Sequence, residues 1–188
     1  EIRVDTITEK TSANGVAIDS VTLKDGGVTT TALTMDGLST SVAAGDIIAS
    51  AGKVASQTVA HNTSTVLELN TEVIDRGSNF NTTTDRFVAP KAGTYYISAG
   101  VRCNFAANRF IGQILKNGSD IGGTVGTLTG EMTAVSTAHN TIISHALIDL
   151  AVDDYIQFAI YHDKGSSETG FFQANLFVYR VGTSSWVI

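Results

Sequence analysis

The stretch that decides the fold is FVAPKAGTYYISAGVRCNF, residues 87–105. From Tyr95 to Phe105 every second residue is apolar, while most of the residues between them are small or polar. A period of two sends alternate side chains to opposite faces of an extended chain. The pattern therefore predicts a long antiparallel strand with one face in a core.

The same alternation returns in residues 146–152, 156–160 and 172–178, and it predicts an all-β sandwich. In the last two segments the opposite face is aromatic as well, through Tyr155, Tyr161, Phe171, Phe177 and Tyr179. Only one face of each sheet in a two-sheet sandwich meets the core, so a second aromatic face predicts contact with another subunit. These five residues are the candidate interface between subunits. Cover by a loop of the same chain is the alternative.

Composition and charge narrow the classes of function. The chain has 188 residues, 12 basic and 18 acidic, with a net charge of −6. It contains no cluster of Lys and Arg, so we expect no nucleic-acid partner. No apolar run approaches the roughly 20 residues of a membrane-spanning helix, so we expect no membrane insertion.

The residues that could carry chemistry do not form a recognisable site. Cys103 falls on the apolar side of its strand, which favours a core residue over a nucleophile. His139 and His145 would lie roughly 20 Å apart on one strand, too far to share an ion. No Gly-x-Ser-x-Gly elbow occurs, and no spacing indicates a glycosidase carboxylate pair. The sequence therefore predicts no enzyme, no cofactor and no metal site.

Residues 87–95 contain F-x-A-P-x-A-G-x-Y, which resembles a signature of the globular C1q-like head in the C1q/tumour-necrosis-factor superfamily. Residues 114–118 (ILKNG), 150–158 and 172–178 resemble further strands of that family, with Asp153 in place of a glycine. The resemblance covers about residues 59–182. It implies an antiparallel jelly-roll β-sandwich that assembles as a homotrimer. Heads of this family sometimes hold calcium near the trimer apex, so calcium stays a minor alternative to the absence of a cofactor.

The N-terminal part has a different character. Residues 1–40 hold short, Thr-rich segments between Gly-containing turns, which predicts an extended β-rich arm too thin to close a core alone. Within it, residues 2–27 resemble a segment that recurs in structural proteins of tailed bacteriophages, which implies a virion. Residues 41–58 are rich in Ala, Ser and Gly and predict a linker with a helical turn around 46–51, and residues 183–188 are the C-terminal tail.

These features predict a non-enzymatic structural protein of a tailed-phage virion. We expect a homotrimeric capsid decoration or cement protein, attached through its arm and projecting a jelly-roll head. Its partners would be itself and the major capsid protein or another virion protein, and its small size favours the capsid surface over the tail. The candidate attachment residues are apolar: Ile2, Val4, Ile7, Val16, Ile18 and Trp186.

Two other functions remain as alternatives. The first is a short tail or head fibre, or a receptor-binding tip, whose loops 76–86, 118–133 and 163–170 would contact a receptor on the host surface. The more remote one is a secreted C1q-like binding module, which the phage-like N-terminal segment disfavours.

Overall fold

The computed structural model of the protein describes residues 48–134 and 139–182. Within them the regular structure consists of fifteen β-strands, and no helix there could cross a membrane. The strands are β1 (Ile48–Lys53), β2 (Thr58–Val59), β3 (Thr65–Val66), β4 (Thr71–Arg76), β5 (Phe80–Asn81), β6 (Arg86–Val88), β7 (Gly93–Cys103), β8 (Ala107–Lys116), β9 (Ser119–Asp120), β10 (Thr127–Leu128), β11 (Gly130–Ala134), β12 (Asn140–Leu150), β13 (Tyr155–His162), β14 (Glu168–Thr169) and β15 (Phe171–Gly182). The predicted arm, the predicted tail and all six candidate attachment residues lie outside the described residues.

The strands form two antiparallel sheets that pack face to face. The six-stranded sheet has the order β10-β12-β7-β15-β1-β4. The seven-stranded sheet follows β11-β8-β13-β6-β5, with β3 beside β13 and β9 beside β8. A short pair, β14 with β2, stands apart. The all-β antiparallel sandwich predicted by the alternation is therefore confirmed.

The core lies between the sheets, as the alternation in β7 predicts. Tyr95, Ile97 and Ala99 are fully buried, whereas the residues between them are partly exposed. From the opposite sheet, β13 contributes Phe158, which is also fully buried. The ring of Phe87 lies 5.8 Å from that of Tyr95, and this contact joins β6 to the six-stranded sheet. The sequence that decides the fold thus supplies one wall of the core.

The linker predicted over residues 41–58, with its helical turn, is wrong for residues 48–53, which form β1. This strand lies between β15 and β4, with Ala49 and Ala51 buried. Residues 49–52 of the strand are small, and its neighbours approach closely there: a Cβ at Gly52 would lie 2.8 Å from the side-chain oxygen of Asn175. Small residues packed under larger neighbours have the same composition as a flexible linker, and composition alone cannot separate the two.

The strand directions define two ends of the sandwich. The chain enters β1 at Ile48 and leaves β15 at Gly182, and Ile48 pairs with Tyr179, so both events occur at one end, which we call the base. The opposite end is the tip, where β7 ends at Cys103. The loop between β13 and β14, residues 163–167, follows the tip end of β13.

A tight turn at the base joins β12 to β13. Asp153 stands where the resembled motif has glycine, and its φ of 68° is in the left-handed region that aspartate tolerates. Asp154 pairs with Lys116 at 2.9 Å and accepts a hydrogen bond from the amide of Asn117 at 2.7 Å. The hydrogen bond from Lys116, followed by that from Asn117, lowers the pKa of Asp154 to about 2. The turn is thus fixed by side-chain contacts to β8.

Candidate interaction surfaces

The outer face of the six-stranded sheet carries large apolar side chains on four adjacent strands. The strand registers place Leu147, Tyr96, Tyr179 and Ile48 side by side in a row across β12, β7, β15 and β1. The rows toward the tip contribute Phe177 and Ile143 on the same side. We call the surface made by these six residues the apolar face.

Much of the apolar face is open to solvent. The exposed fractions are 52% for Ile143, 50% for Leu147, 48% for Phe177 and 43% for Tyr179. Single exposed apolar residues are ordinary on protein surfaces, whereas a contiguous set across several strands marks an interaction surface. The apolar face is therefore the strongest candidate in the described residues for contact with another molecule.

Aromatic contacts fix the base half of the apolar face. The rings of Tyr96 and Tyr179 lie 5.2 Å apart at 41°. The hydroxyl of Tyr96 is 2.8 Å from Nδ1 of His145, and the tautomer of the histidine decides which group donates. Side chains already held in one rotamer lose less entropy when a partner covers them. Tyr96, Tyr179 and His145 therefore lose little side-chain entropy when another molecule covers them.

A shallow depression of about 240 Å³ lies at the centre of the face, beside Gly100, Ile143, Asn175 and Phe177. Gly100 opens it because this residue adds no side chain. Toward the tip, a guanidinium nitrogen of Arg102 donates to the side-chain oxygen of Gln173 at 2.9 Å. An apolar floor with a polar rim is the usual anatomy of a protein–protein contact.

The structure divides the five candidate trimer-interface residues. Phe177 and Tyr179 lie together on the apolar face, and Phe171 begins β15 at the tip. Tyr155 and Tyr161 lie on β13, in the other sheet. Phe177 and Tyr179 therefore cannot share one contiguous patch with Tyr155 and Tyr161, because the outer faces of two packed sheets point in opposite directions.

The two β13 tyrosines have partners within the chain. The hydroxyl of Tyr161 donates to the side-chain oxygen of Asn62 at 2.9 Å. The guanidinium of Arg86 lies 4.1 Å above the ring of Tyr155. Sequence reasoning also missed Ile143 and Leu147, although their alternation opposite the buried residues of β12 carried the signal.

The outer face of the seven-stranded sheet is polar. Arg109 on β8 forms an ion pair with Glu131 on β11, which raises the pKa of the guanidinium and lowers that of the carboxyl, first through the hydrogen bond between them. Gln113 donates to Asp120 at 2.7 Å. We call the surface formed by Arg109, Gln113, Asp120, Glu131 and Tyr161 the polar face. These side chains line an open cavity of about 450 Å³.

The structure describes two kinds of group considered for chemistry, the Cys103 thiol and the possible metal ligands. Cys103 is fully buried, as predicted, and burial raises the pKa of its thiol to about 11. A thiol in this state is a poor nucleophile at neutral pH. Within residues 48–134 and 139–182, no group of three or more His, Cys, Asp and Glu side chains is placed to hold a metal ion.

The three loops assigned to receptor contact do not meet at one end. The loop at 163–170 lies at the tip, after the end of β13. Arg76, where the loop 76–86 begins, pairs with Ile48 at the base. Receptor contact at one end of the sandwich would therefore not use the loops 76–86 and 163–170 together.

Comparison with known proteins shows the fold. The chain matches no profile of a known protein family and no curated protein sequence. Among solved structures, it is similar to the globular domain of zebrafish complement 1qA protein, with a TM-score of 0.57, 12% identity and coverage of 73% of this chain and 98% of that one. Eiger TNF from S. frugiperda is similar with a TM-score of 0.56 and 10% identity, and the match covers 76% of this chain and 96% of that one. PRD1 vertex protein P5 is similar with a TM-score of 0.55 and 18% identity, and the match covers 74% of this chain and 100% of that one.

The fold is a C1q/TNF-like jelly roll. The resemblance carried by residues 87–95 predicted this fold, and the structural likeness confirms it. One of the similar structures is named a vertex protein, so the fold also occurs outside the C1q and TNF proteins. At such identities the likeness extends to the fold alone.

Proposed function

We propose that this protein is a non-enzymatic, homotrimeric structural protein of a tailed-phage virion, and specifically a decoration protein on the capsid surface. Its mechanism is assembly, which needs no cofactor. Three copies bury the apolar face against one another, and the N-terminal segment, residues 1–40, attaches the trimer to the major capsid protein or another virion protein. The likeness to a phage vertex protein and the phage-like sequence of residues 2–27 support the location.

The apolar face carries the proposal of self-association. Complete burial of a large apolar side chain contributes about 1.5–3 kcal/mol. Phe177, Tyr179, Leu147 and Ile143 are each about half buried already. Covering the remainder contributes on the order of 1 kcal/mol per residue per interface, before losses of translational and side-chain entropy. A trimer repeats this contribution at three interfaces.

A cyclic trimer also suits the positions of Ile48 and Gly182 at the base. In a ring of three copies the apolar faces meet around the threefold axis, and each interface is heterologous because one part of the face in one copy contacts another part of the face in the next. With the strands running roughly along the threefold axis, all three bases point the same way. Ile48, where β1 begins, then lies on the same side of the trimer in every copy and the tips project on the other, which fits attachment through residues 1–40.

Native mass tests the assembly. We expect light scattering on the full chain to give about 59 kDa, three times 19.7 kDa. The double variant Phe177→Ser/Tyr179→Ser should fall to the mass of a single chain, because it removes two aromatic side chains from the apolar face. The matched control is Tyr155→Ser/Tyr161→Ser on the opposite sheet, which should remain trimeric.

Two results would count against this assembly. A wild-type chain that has the mass of a monomer in light scattering would contradict the proposed trimer. A control variant that dissociates while Phe177→Ser/Tyr179→Ser stays trimeric moves the interface to the seven-stranded sheet.

A receptor-binding tip is the second candidate, favoured by the exposed loop at 163–167, on the end opposite the base. The two functions differ in what the purified trimer binds. A decoration protein should bind capsids that lack it and raise their heat resistance, and electron microscopy should show it on the head. A receptor-binding protein should instead bind intact host cells, and labelling should place it at the tail.

A further inference from the structure

The cavity on the polar face has the features of a ligand site that is separate from the assembly surface. Its volume of about 450 Å³ falls within the roughly 300–1,000 Å³ typical of ligand pockets. Ile111 lies in its lining, and Gly122 and Gly123 form part of the wall. The space in front of Gly123 is open, since a Cβ there would meet no atom within 4 Å. A ligand can therefore approach the backbone closely.

The polar groups of the cavity are held in place by neighbours within the chain. Asp120 accepts from the side-chain amide of Gln113 and, at 2.8 Å, from the backbone N–H of Gly122. The hydroxyl of Ser64 donates to the side-chain oxygen of Gln113 at 2.6 Å. Glu131 receives hydrogen bonds from Arg109 at both carboxylate oxygens. Groups fixed in this way lose little conformational entropy when they bind a ligand.

These contacts leave the cavity rich in hydrogen-bond acceptors. A carboxylate can accept about four hydrogen bonds, and the contacts above use two at Asp120 and two at Glu131. The phenol oxygen of Tyr161 donates its proton to Asn62 and still presents its lone pairs. The complementary ligand therefore carries several donor groups.

The charge of the cavity excludes anions. Arg109 is paired with Glu131, and Asp120 adds a second negative charge, so the titratable side chains in the lining sum to a net negative charge at neutral pH. Phosphate groups and acidic sugars would be repelled. An aromatic ring and an isoleucine beside the acceptors provide apolar surface for a ligand that also has C–H faces.

We propose that this cavity binds a neutral saccharide. Sugar hydroxyls supply the donors that the carboxylates of Asp120 and Glu131 lack, and the C–H face of a pyranose ring packs on Tyr161 and Ile111. The site lies on the opposite side of the sandwich from the apolar face. It therefore extends the proposed function and can be tested apart from it.

The test is binding of the fluorescently labelled full chain to an array of neutral and acidic pyranose oligosaccharides. We expect binding to neutral members. Gln113→Ala and Glu131→Gln should each weaken that binding at least tenfold, because each removes a fixed polar group from the cavity. The matched control is Glu72→Gln, the same change at an exposed glutamate of β4 in the other sheet. Native mass and circular dichroism confirm that the variants fold and assemble like the parent.

Three results would overturn the proposal: no binding to any neutral oligosaccharide, binding to acidic oligosaccharides only, or binding that Gln113→Ala and Glu131→Gln leave unchanged. The assembly can fail independently. A trimer that binds no sugar would contradict the saccharide site and leave the proposed assembly standing. A monomer that binds neutral sugars would contradict the assembly and leave the saccharide site standing.

Discussion

The two outer faces of this sandwich are built from the same kind of strand and have opposite chemistry. On the seven-stranded sheet, Tyr161 points outward and its hydroxyl is bound to Asn62, beside the ion pair of Arg109 and Glu131. On the six-stranded sheet, Phe177 points outward and leaves 48% of its surface in solvent. An outward aromatic residue is therefore not evidence of an interface by itself. The two faces differ in whether the outward aromatic side chain has a bonding partner within its own chain, as Tyr161 has, or stays largely exposed, as Phe177 does.

The largest effect should come from placing a charge at the centre of the apolar face. A Cβ at Gly100 would lie 3.4 Å from the carbonyl oxygen of Ile142 and 3.6 Å from Ile143, which are ordinary contacts, so the fold accepts a side chain there. In Gly100→Lys, the ammonium would have to be buried without a partner, at a cost of several kcal/mol per interface. We expect the native mass to fall threefold in light scattering.

The control for that variant adds the same charge outside the apolar face. Asn108→Lys changes an exposed residue near the tip end of β8 and should stay trimeric. A trimeric Gly100→Lys protein would mean that the centre of the apolar face remains open to solvent in the assembly.

A smaller effect should come from a glycine that faces the core instead. A Cβ at Gly112 on β8 would lie 3.0 Å from the hydroxyl oxygen of Ser144 and 3.2 Å from the ring of Phe158. These contacts are tight, so Gly112→Ala should lower the free energy of unfolding by about 1–3 kcal/mol, measured by denaturant titration. Gly100→Ala is the matched control and should change stability little. Equal losses in both variants would contradict the packing difference between the two positions.

The smallest effect should come from acid. The pKa of Asp154 is about 2 in the folded chain, against an ordinary value of 3.8, because Lys116 and Asn117 stabilise the carboxylate. The stabilisation is complete above pH 3.8 and is lost as the pH falls toward 2. Since solvent screens the site, its contribution is on the order of 1 kcal/mol. Urea titrations between pH 5 and pH 2 should show this loss in the parent and a flatter pH dependence in Asp154→Asn. Identical pH profiles would exclude this role for the carboxylate.

The part of the fold that the sequence predicts well is the part with a strict period. In β7, the order of residues alone separates buried from exposed side chains, since a strand has two faces and only one meets the core. The turn at Asp153 has an equally local cause, because few residue types accept its positive φ. Cys103 follows from its register.

The part that it predicts badly depends on neighbours distant in the chain. The sequence predicts a linker at β1 because its residues 49–52 are small. They are small because they lie beside Asn175 and Phe177 on β15, which are distant in the chain. Tyr161 reads as an interface residue because Asn62, its hydrogen-bond partner, lies 99 positions away. The polar cavity likewise joins residues from four strands and two loops, and no local sequence pattern predicts it.

The sequence by itself determined the long strands β7, β12, β13 and β15, the inward face of β7 and the jelly-roll fold, since these follow from local alternation and motifs. Only the tertiary structure decided which outward side chains meet. It assigned β13 and β15 to different sheets, and it thereby separated Tyr155 and Tyr161 from Phe177 and Tyr179. The physical reason is that alternation fixes the face of a strand on which a residue lies, whereas the order of strands in a sheet is fixed by pairing between distant segments.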